Sequence, residues 1–123
     1  MTNPLAFFLD RDGVLNEVVW RQGKPASPRH SDEFRFREGA LEMVQAIRAA
    51  AYRIIVVTNQ PDIERGLLEP SELDTMHDRL RAELEPDDIL VATSGDDSHP
   101  WRKPNPGMLF EAANRWALDP TRC

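Results

Sequence analysis

The chain has 123 residues, a formal net charge of −6, 41% hydrophobic residues and 29% charged residues. This composition is typical of one small globular domain, and the acidic balance disfavours nucleic acid or an anionic membrane as a partner. The longest apolar runs, LAFFL and IIVV, are too short to cross a bilayer, and the N-terminus lacks a signal-type pattern. The single cysteine, Cys123, excludes an internal disulfide framework and favours a reducing, cytoplasmic compartment.

The first half of the chain predicts a strand, a long loop, a helix and a second strand. The continuous apolar run PLAFFL (4–9) is typical of a strand buried on both faces. Residues 17–37 show no clear period, and we interpret them as a long functional loop. The segment YRIIVVT (52–58) predicts the second buried strand. Between them, from Glu38, apolar residues recur at helical spacing, at Leu41, Val44 and Ile47, with Ala50 and Ala51 extending the face.

The second half predicts a helix, a third strand and a third helix. Ser71 is the predicted N-cap of the middle helix, and DILVATS (88–94) is the predicted third strand. Asn105 and Pro106 are the predicted N-cap and first residue of the last helix. The predicted inward positions of the two helices are Leu73, Met76, Leu80 and Leu84, then Leu109, Ala112, Ala113 and Trp116.

Strand and helix alternate throughout, which predicts an α/β fold with a parallel sheet and helical crossovers. In such sheets ligands bind outside the carboxyl ends of the strands. Asp10 and Asp12 follow the first strand, Thr58 and Asn59 follow the second, and Lys103 lies in the loop after the third. We therefore expect these polar groups to meet at one edge of the sheet.

Asp10 and Asp12 stand one residue apart and precede Gly13. One interpretation is a solvated turn, because Asp and Gly are common turn residues. The other is a nucleophile and its partner: one carboxylate attacks phosphorus to form an aspartyl-phosphate, and the second acts as general acid and base. Two anions must then meet, so a hard cation such as Mg²⁺ is needed between them. Gly13 would allow a tight turn beside the phosphate.

Thr58 and Lys103 also have two interpretations each. Thr58 alone could simply end a strand, and Lys103 alone could be a surface lysine in a proline-rich loop. On a shared edge, the Thr58 hydroxyl could hold a phosphoryl oxygen, and the Lys103 ammonium could offset charge on nucleophile and phosphate. Arg102 beside it offers a planar fork for a second anionic or hydroxyl group.

Three motifs together resemble the haloacid dehalogenase (HAD) superfamily: DRDGV with Asp10 and Asp12, VVTNQ with Thr58, and RKPNPG with Lys103. The longer segments FLDRDGVLNE, TNQPDIERG and RKPNPGML are similar to the small-cap HAD-IIIA phosphatases, which include heptose-bisphosphate phosphatase and histidinol-phosphatase. The resemblance implies a Rossmann-like three-layer sandwich with a minimal cap. It also implies a Mg²⁺-dependent phosphatase acting on a small phosphorylated metabolite, such as heptose bisphosphate or histidinol phosphate.

The resemblance assigns a role to each motif residue. Asp10 is the implied nucleophile, and Asp12 the implied general acid and base. Mg²⁺ would be held by the Asp10 carboxylate and the Asp12 main-chain carbonyl. Thr58 and Lys103 would steady the phosphoryl group, and residues 17–37 would replace a full cap and shape specificity. The implied substrate-binding residues are Asn59, Gln60, Arg65 and Arg102.

Two departures from the family pattern carry expectations. The zinc loop of related phosphatases is replaced by SGDDSHPW, which holds His99 and no cysteine, so we expect no structural zinc. His30 and His77 likewise lack partners at ligand spacing. The chain stops at LDPTRC, about where the family's next strand and its Gly-Asp metal motif would follow. We therefore expect residues 1–123 to form a single phosphatase domain that is incomplete at its C-terminus.

Two other functions stay open on the sequence. A non-catalytic phosphate-binding or interaction fragment would bind ligand without releasing phosphate. A receiver-like domain that accepts a phosphoryl group on Asp10 shares the style of fold, although RKPNPG and the long loop after the first motif fit the phosphatase better. The oligomeric state is expected to be a monomer or a weak dimer.

Overall fold

The computed structural model describes residues 5–119, so Pro4 and Cys123, used above, lie outside it. Residues 31–33 form one 3₁₀ turn. No helix among the described residues is long and apolar enough to span a membrane. The strands are β1 (Ala6–Leu9), β2 (Val19–Arg21), β3 (Lys24–Ala26), β4 (Arg53–Asn59) and β5 (Asp88–Ala92), and the helices are α1 (Ala40–Ala49), α2 (Pro70–Leu84) and α3 (Gly107–Trp116).

The main sheet is parallel, in the order β1-β4-β5, and β4 is its central strand. Leu9 pairs with Val56 at the end of β1, and Asn59 pairs with Ala92 at the end of β4. The three strands thus end at the same edge of the sheet. This is the parallel α/β arrangement that the alternating pattern predicts.

Helices cover both faces of the sheet because β4 is apolar on both sides. Ile54 and Val56 pack toward α1 and α2, whereas Ile55 and Val57 pack toward α3. All four side chains are buried. This near-continuous apolar run is typical of a central parallel strand, and it gives the three-layer sandwich that the resemblance implies.

Strand β1 departs from the prediction of a strand buried on both faces. It pairs only with β4 among the described residues, so it forms an edge of the sheet. Phe7 is 43% exposed, and its ring meets Tyr52 edge-on at 4.8 Å between centroids. An apolar run alone does not distinguish an edge strand from a central one.

Residues 17–37 are not a featureless loop. They hold the antiparallel hairpin β2–β3, in which Trp20 pairs with Pro25, followed by the 3₁₀ turn. The strands have only three residues each, too few for the alternating pattern that identifies a strand. Gln22 and Gly23 at the turn both have positive φ, as a tight hairpin connection requires.

The helix boundaries are shifted from those predicted. Helix α1 begins at Ala40 rather than Glu38 and ends at Ala49, and Leu41 is exposed rather than inward. Helix α2 begins at Pro70 with Glu69 as N-cap, so Ser71 lies inside the helix. Proline suits the first helical position because its missing N–H has no partner there in any case. Helix α3 begins at Gly107 with Pro106 as N-cap, one residue later than predicted.

Candidate active site

Asp10 and Lys103 meet at the carboxyl edge of the sheet although 93 residues separate them in sequence. Lys103 Nζ donates to Asp10 Oδ1 at 2.7 Å and to the Val57 carbonyl at 2.9 Å. The Asp10 side chain is 48% exposed, so it is open to a ligand. The same edge borders a cavity of about 470 Å³, lined by Asp10, Val57, Lys103, Pro104, Asn105, Met108 and Leu109.

Asn59 fixes the backbone that carries this lysine. Its Oδ1 accepts from the Lys103 amide at 3.0 Å, and its Nδ2 donates to the Lys103 carbonyl at 3.2 Å. The oxygen and the nitrogen of the Asn59 side-chain amide are therefore both hydrogen-bonded to the loop before α3. Asn59, predicted to bind substrate, here positions Lys103.

Asp12 lies in a tight loop, and its two carboxylate oxygens accept hydrogen bonds from different sets of residues. Oδ1 accepts from Arg11 Nε and Nη2 at 2.9 and 2.7 Å, and from Asn16 Nδ2 at 3.0 Å. Oδ2 accepts from the Ser27 hydroxyl and from Gln60 Nε2 at 3.1 Å. The carboxylate is thus held in one orientation from both sides.

Gly13 makes the predicted turn of this loop, with φ of 84° in the left-handed region. Its amide donates to the Asn16 carbonyl at 2.8 Å. The loop therefore closes on itself, and the Gly13 amide is used within it.

The surroundings of Asp12 favour its charged form. Burial by itself raises the pKa of Asp12, but the Arg11 charge and the hydrogen bonds from Ser27, Asn16 and Arg11 outweigh it, so the net pKa is lowered from 3.8. In this structure Asp12 is therefore an ionised carboxylate that accepts hydrogen bonds on both of its oxygens.

Gln60 links Asp12 to Thr58. Its Nε2 donates to Thr58 Oγ1 at 2.8 Å as well as to Asp12 Oδ2, and both Gln60 and Thr58 are buried. Thr58 follows Val57, whose carbonyl binds Lys103. Arg11 joins the two groups, because its amide donates to Asp10 Oδ1 at 2.9 Å and its side chain binds Asp12. Asp10, Asp12, Thr58 and Lys103 thus meet in one hydrogen-bonded cluster at the edge that the strand order predicts; their chemical roles stay predictions.

Arg65 and Arg102 each contact protein groups beside the cluster. Arg65 pairs with Asp62 at 3.4 Å, as does Arg29 at 3.0 Å. Arg102 donates to Asp97 and to the Ser94 carbonyl, each at 2.9 Å, and so ties together its own loop. Arg65 borders a second cavity, of about 210 Å³, lined by Pro25, Ala26, Ser27, Arg29, Gln60, Pro61, Asp62 and Arg65.

The oxygen atoms near Asp10 are ligands of the type that a hard cation such as Mg²⁺ binds. Within residues 5–119, no three His, Cys, Asp or Glu side chains are grouped so that they could hold a metal ion. Mg²⁺ does not need such a cage, because it binds through one or two carboxylates and completes its shell with water and substrate phosphate. The exposed Asp10 carboxylate and the Asp12 main-chain carbonyl are oxygen donors of the kind that Mg²⁺ takes.

Arg11, Ser27 and His77 are among the residues around Asp12 that were not predicted from the sequence to belong to the site. Arg11 stands between two aspartates, where a charged side chain is ordinarily expected to face water, yet it is fully buried. His77 falls on the inward stripe of α2, at i+4 from Leu73 and i+7 from Pro70, so its burial could have been predicted. No sequence signal identifies Ser27, because the hairpin brings it to Asp12.

A parallel sheet covered on both faces, with carboxylates, a buried threonine and a lysine at its carboxyl edge, defines a class of phosphate-handling α/β domain. The family model described as polynucleotide kinase 3 phosphatase matches residues 6–119. The chain belongs to this family, whose fold is HAD-like, and the resemblance stated from the sequence is confirmed.

Named relatives agree. The chain is 32% identical to a D-glycero-beta-D-manno-heptose-1,7-bisphosphate 7-phosphatase of Bordetella bronchiseptica, over 90% of this chain and 63% of that protein. It is 34% identical to the equivalent phosphatase of Mesorhizobium japonicum, over 93% of this chain and 56% of that protein. The chain thus spans about 60% of the length of these relatives.

Solved structures give the same picture. A D,D-heptose 1,7-bisphosphate phosphatase from B. bronchiseptica, complexed with magnesium and phosphate, superposes with a TM-score of 0.75 at 30% identity, covering 94% of this chain and 65% of that one. A structure from Mesorhizobium loti described as HAD-like gives a TM-score of 0.74 at 30% identity, covering 97% and 60%.

Proposed function

We propose that this chain carries the catalytic cluster of a Mg²⁺-dependent phosphatase that hydrolyses a small phosphomonoester. The observation that carries the proposal is the contact of Lys103 with Asp10, because an ammonium fixed beside an exposed carboxylate can receive a phosphate there. The family match and the named phosphatases support the same reaction class.

The proposed reaction has two steps. An Asp10 carboxylate oxygen attacks phosphorus, the ester bond breaks, and the leaving oxygen takes a proton from Asp12. A water molecule then attacks the phosphorus of the aspartyl-phosphate while Asp12 accepts its proton, which releases phosphate and restores the Asp10 carboxylate. A bound phosphate ester raises the pKa of a nearby carboxyl, because like charges favour the neutral form, and this would help Asp12 carry the proton for the first step.

Mg²⁺, held by the Asp10 carboxylate and the Asp12 carbonyl, would offset the repulsion between nucleophile and phosphate. The Lys103 ammonium adds a fixed positive charge on the same side, and the Thr58 hydroxyl is proposed to donate to a phosphoryl oxygen. Burial of Thr58 limits its rotation, which suits a group that must be preorganised.

We propose a phosphorylated sugar as the substrate class, with a heptose bisphosphate as the first candidate because that is the substrate in the relatives' names. Arg65 borders the cavity that adjoins Gln60 and Ser27, so it could contact an anionic group of the substrate. The hairpin in residues 17–37 forms the other wall and takes the place of a cap. Asn59, Gln60 and Arg102 are proposed as further substrate contacts, although each already bonds protein groups.

A small metabolite suits the chain better than a polynucleotide. Its net charge of −6 opposes the binding of a phosphate backbone. Arg29 and Arg65, which line the cavity of about 210 Å³, can still bind a compact anion. We accordingly propose a cytoplasmic enzyme without nucleic-acid or membrane partners, acting as a monomer or weak dimer.

The test is phosphate release from a panel of sugar phosphates and histidinol phosphate, with Mg²⁺ and with a chelator. We expect release only with Mg²⁺, and none from the Asp10→Asn variant, because an amide cannot act as the nucleophile. Asp78→Asn is the matched control, since Asp78 is an exposed aspartate on α2.

Equal rates in the parent and in Asp10→Asn would refute the assignment of the nucleophile. Binding of a sugar phosphate by the parent without any release under Mg²⁺ would favour the non-catalytic binding module. Stable acyl-phosphate after incubation with a small phosphodonor would favour the receiver-like domain.

A further inference from the structure

The Arg11 guanidinium lies fully buried beneath the site. Its Nε and Nη2 form a fork on Asp12 Oδ1, and its carbon Cζ lies 5.3 Å from the centroid of the Phe34 ring. Its third nitrogen, Nη1, lies 3.1 Å from Nε2 of His77 and 3.9 Å from the sulfur of Met76. Arg11 therefore connects helix α2 to the proposed acid and base.

The contact with Arg11 determines the protonation of His77. A guanidinium can only donate, so Nε2 must accept and the single ring proton must lie on Nδ1. The pKa of His77 is lowered from 6.5 to about 4, mainly by burial and further by the positive charges of Arg11 and Arg81. A neutral ring with an unprotonated Nε2 is thus both required by the geometry and favoured by the surroundings.

The hydrogen bond that His77 Nε2 accepts helps to set the orientation of the Arg11 guanidinium. A buried guanidinium N–H without a partner is costly, so Arg11 without His77 would turn toward another acceptor. Any such turn moves the two nitrogens that hold Asp12 Oδ1. The other oxygen of Asp12, which contacts Ser27 and Gln60, would then move as well.

We propose that His77 is a positioning residue for Asp12, acting through Arg11 rather than touching the substrate. This inference rests on the proposed function, because it concerns the residue to which the proton transfers are assigned. His77 fixes the guanidinium, and the guanidinium fixes the carboxylate at the distance and angle that proton transfer needs. The alternative is a histidine that merely fills the core of α2.

The kinetic test compares three variants of the full chain. In His77→Leu, which lacks the acceptor, we expect kcat to fall about 10- to 100-fold while KM changes by no more than about twofold. In His77→Gln, whose side-chain oxygen can replace Nε2, we expect most of kcat to return. Leu80→Ala is the control, because Leu80 is equally buried on α2 but outside the network, so it lowers stability without this kinetic pattern.

Two kinetic outcomes would overturn the inference: His77→Leu with the kcat of the parent, or His77→Gln no better than His77→Leu although both are folded. A second measurement does not depend on activity or on the folding of any variant. Nitrogen NMR of the parent, labelled at histidine, should show His77 at neutral pH with a proton on Nδ1 and a hydrogen-bonded, unprotonated Nε2.

A proton on Nε2 in that spectrum would exclude the contact with Arg11 and overturn the inference whatever the activity. Conversely, a parent chain that releases no phosphate but shows the Nδ1–H form would refute the proposed function without contradicting the contact between His77 and Arg11. In that case the spectrum would still establish the link from His77 to Arg11 as a structural one, and the catalytic part of the inference would fall with the proposed function.

Discussion

Lys103 contacts two acceptors, the Asp10 carboxylate and the Val57 carbonyl, and only the first takes part in the proposed chemistry. The main-chain carbonyl holds the ammonium in place whether or not Asp10 is modified. At the scale of single residues, the Lys103 charge is therefore held in place by a group that takes no part in the proposed reaction. Preorganised charge of this kind does not need to reorient during reaction.

Replacing Lys103 by Met should lower kcat by about 10²- to 10³-fold, because the substitution keeps the length of the side chain but removes the cation. Steady-state phosphate release measures the effect. Lys24→Met is the matched control, since Lys24 lies on exposed β3 and outside the cluster. A similar loss in both variants would mean that Lys103 acts through general charge rather than at the site.

His77 should make stability depend on pH. The unfolded chain binds a proton at His77 near pH 6.5, whereas folding lowers this pKa to about 4. Between these values the unfolded state holds more protons, so the free energy of unfolding should decrease as pH falls through this window, by about 3 kcal/mol in total. Urea unfolding at pH 7.5, 6 and 5 measures the slope.

The contribution of His77 is fully present above pH 7, so no change is expected there. His77→Gln cannot titrate, and it should flatten the slope between pH 7 and 5. The lowered pKa values of Asp12 and Glu33 add a further loss of stability only at lower pH, near the ordinary range of carboxyl groups. Equal slopes in parent and His77→Gln would contradict the assignment.

At the scale of elements, the start of α3 positions the loop that carries Lys103. Gly107 packs so closely against Pro100 that an added Cβ would lie 2.4 Å from the Pro100 carbonyl oxygen. The Gly107 amide also donates to that oxygen at 2.8 Å. The helix and the loop carrying Lys103 are thus in contact where no side chain fits.

Gly107→Ala should destabilise the fold by about 1–3 kcal/mol and lower kcat, because either the helix or the loop must move. Gly95→Ala is the control in the same loop: its added Cβ would meet Arg65 at an ordinary 3.8 Å, and it needs no unusual backbone conformation. Urea unfolding and phosphate release together test the expectation. Equal effects of the two substitutions would show that the close approach at Gly107 is unimportant.

Element order was predictable from the sequence because buried strands and amphipathic helices have different periods. The carboxyl-edge rule also brought Asp10, Thr58 and Lys103 together from the strand order alone. Helix starts were less predictable, since Pro70 and Ser71 are both good start signals and only packing decides between them. The hairpin escaped prediction because each of its strands is so short.

The supports of the site were harder to predict than the reacting groups. Asn59 clamps a backbone 44 residues away, and Arg11 pairs with a ring 66 residues away. Such partners are fixed by tertiary contact, and nothing in local sequence marks them. Asp10 and Thr58, by contrast, lie at the carboxyl ends of β1 and β4, so the topology of the sheet sets their position.

At the scale of the whole molecule, the described sheet has two edges of different character. Among the described residues β1 is an edge strand that exposes Phe7, whereas no β5 side chain is exposed and Asp88 on β5 contacts Arg115 and Trp116 of α3. An exposed apolar edge strand is a template for pairing with another chain. Self-association should therefore involve β1.

Phe7→Lys should lower the fraction of dimer seen by sedimentation at high protein concentration, because a charge on an edge strand opposes pairing. Trp20→Lys is the control, since Trp20 is more exposed but lies on the hairpin. Both variants need a check of stability, as Phe7 also contacts Tyr52. A chain that stays monomeric at every concentration, or an equal effect of both substitutions, would contradict a role for this edge.

Asn59 binds the main chain of Lys103 and not its side chain. The backbone at residue 103 should therefore stay in place when the ammonium group is removed. Replacing Lys103 by alanine should leave a space the size of a short alkylammonium ion, with the Asp10 carboxylate and the Val57 carbonyl still facing it. A small primary amine dissolved in the assay, such as ethylammonium, should then restore part of the lost turnover in a dose-dependent way, and a neutral alcohol of similar size should not. The positive charge would then be supplied by the dissolved amine, and the amine concentration would control the proposed activity.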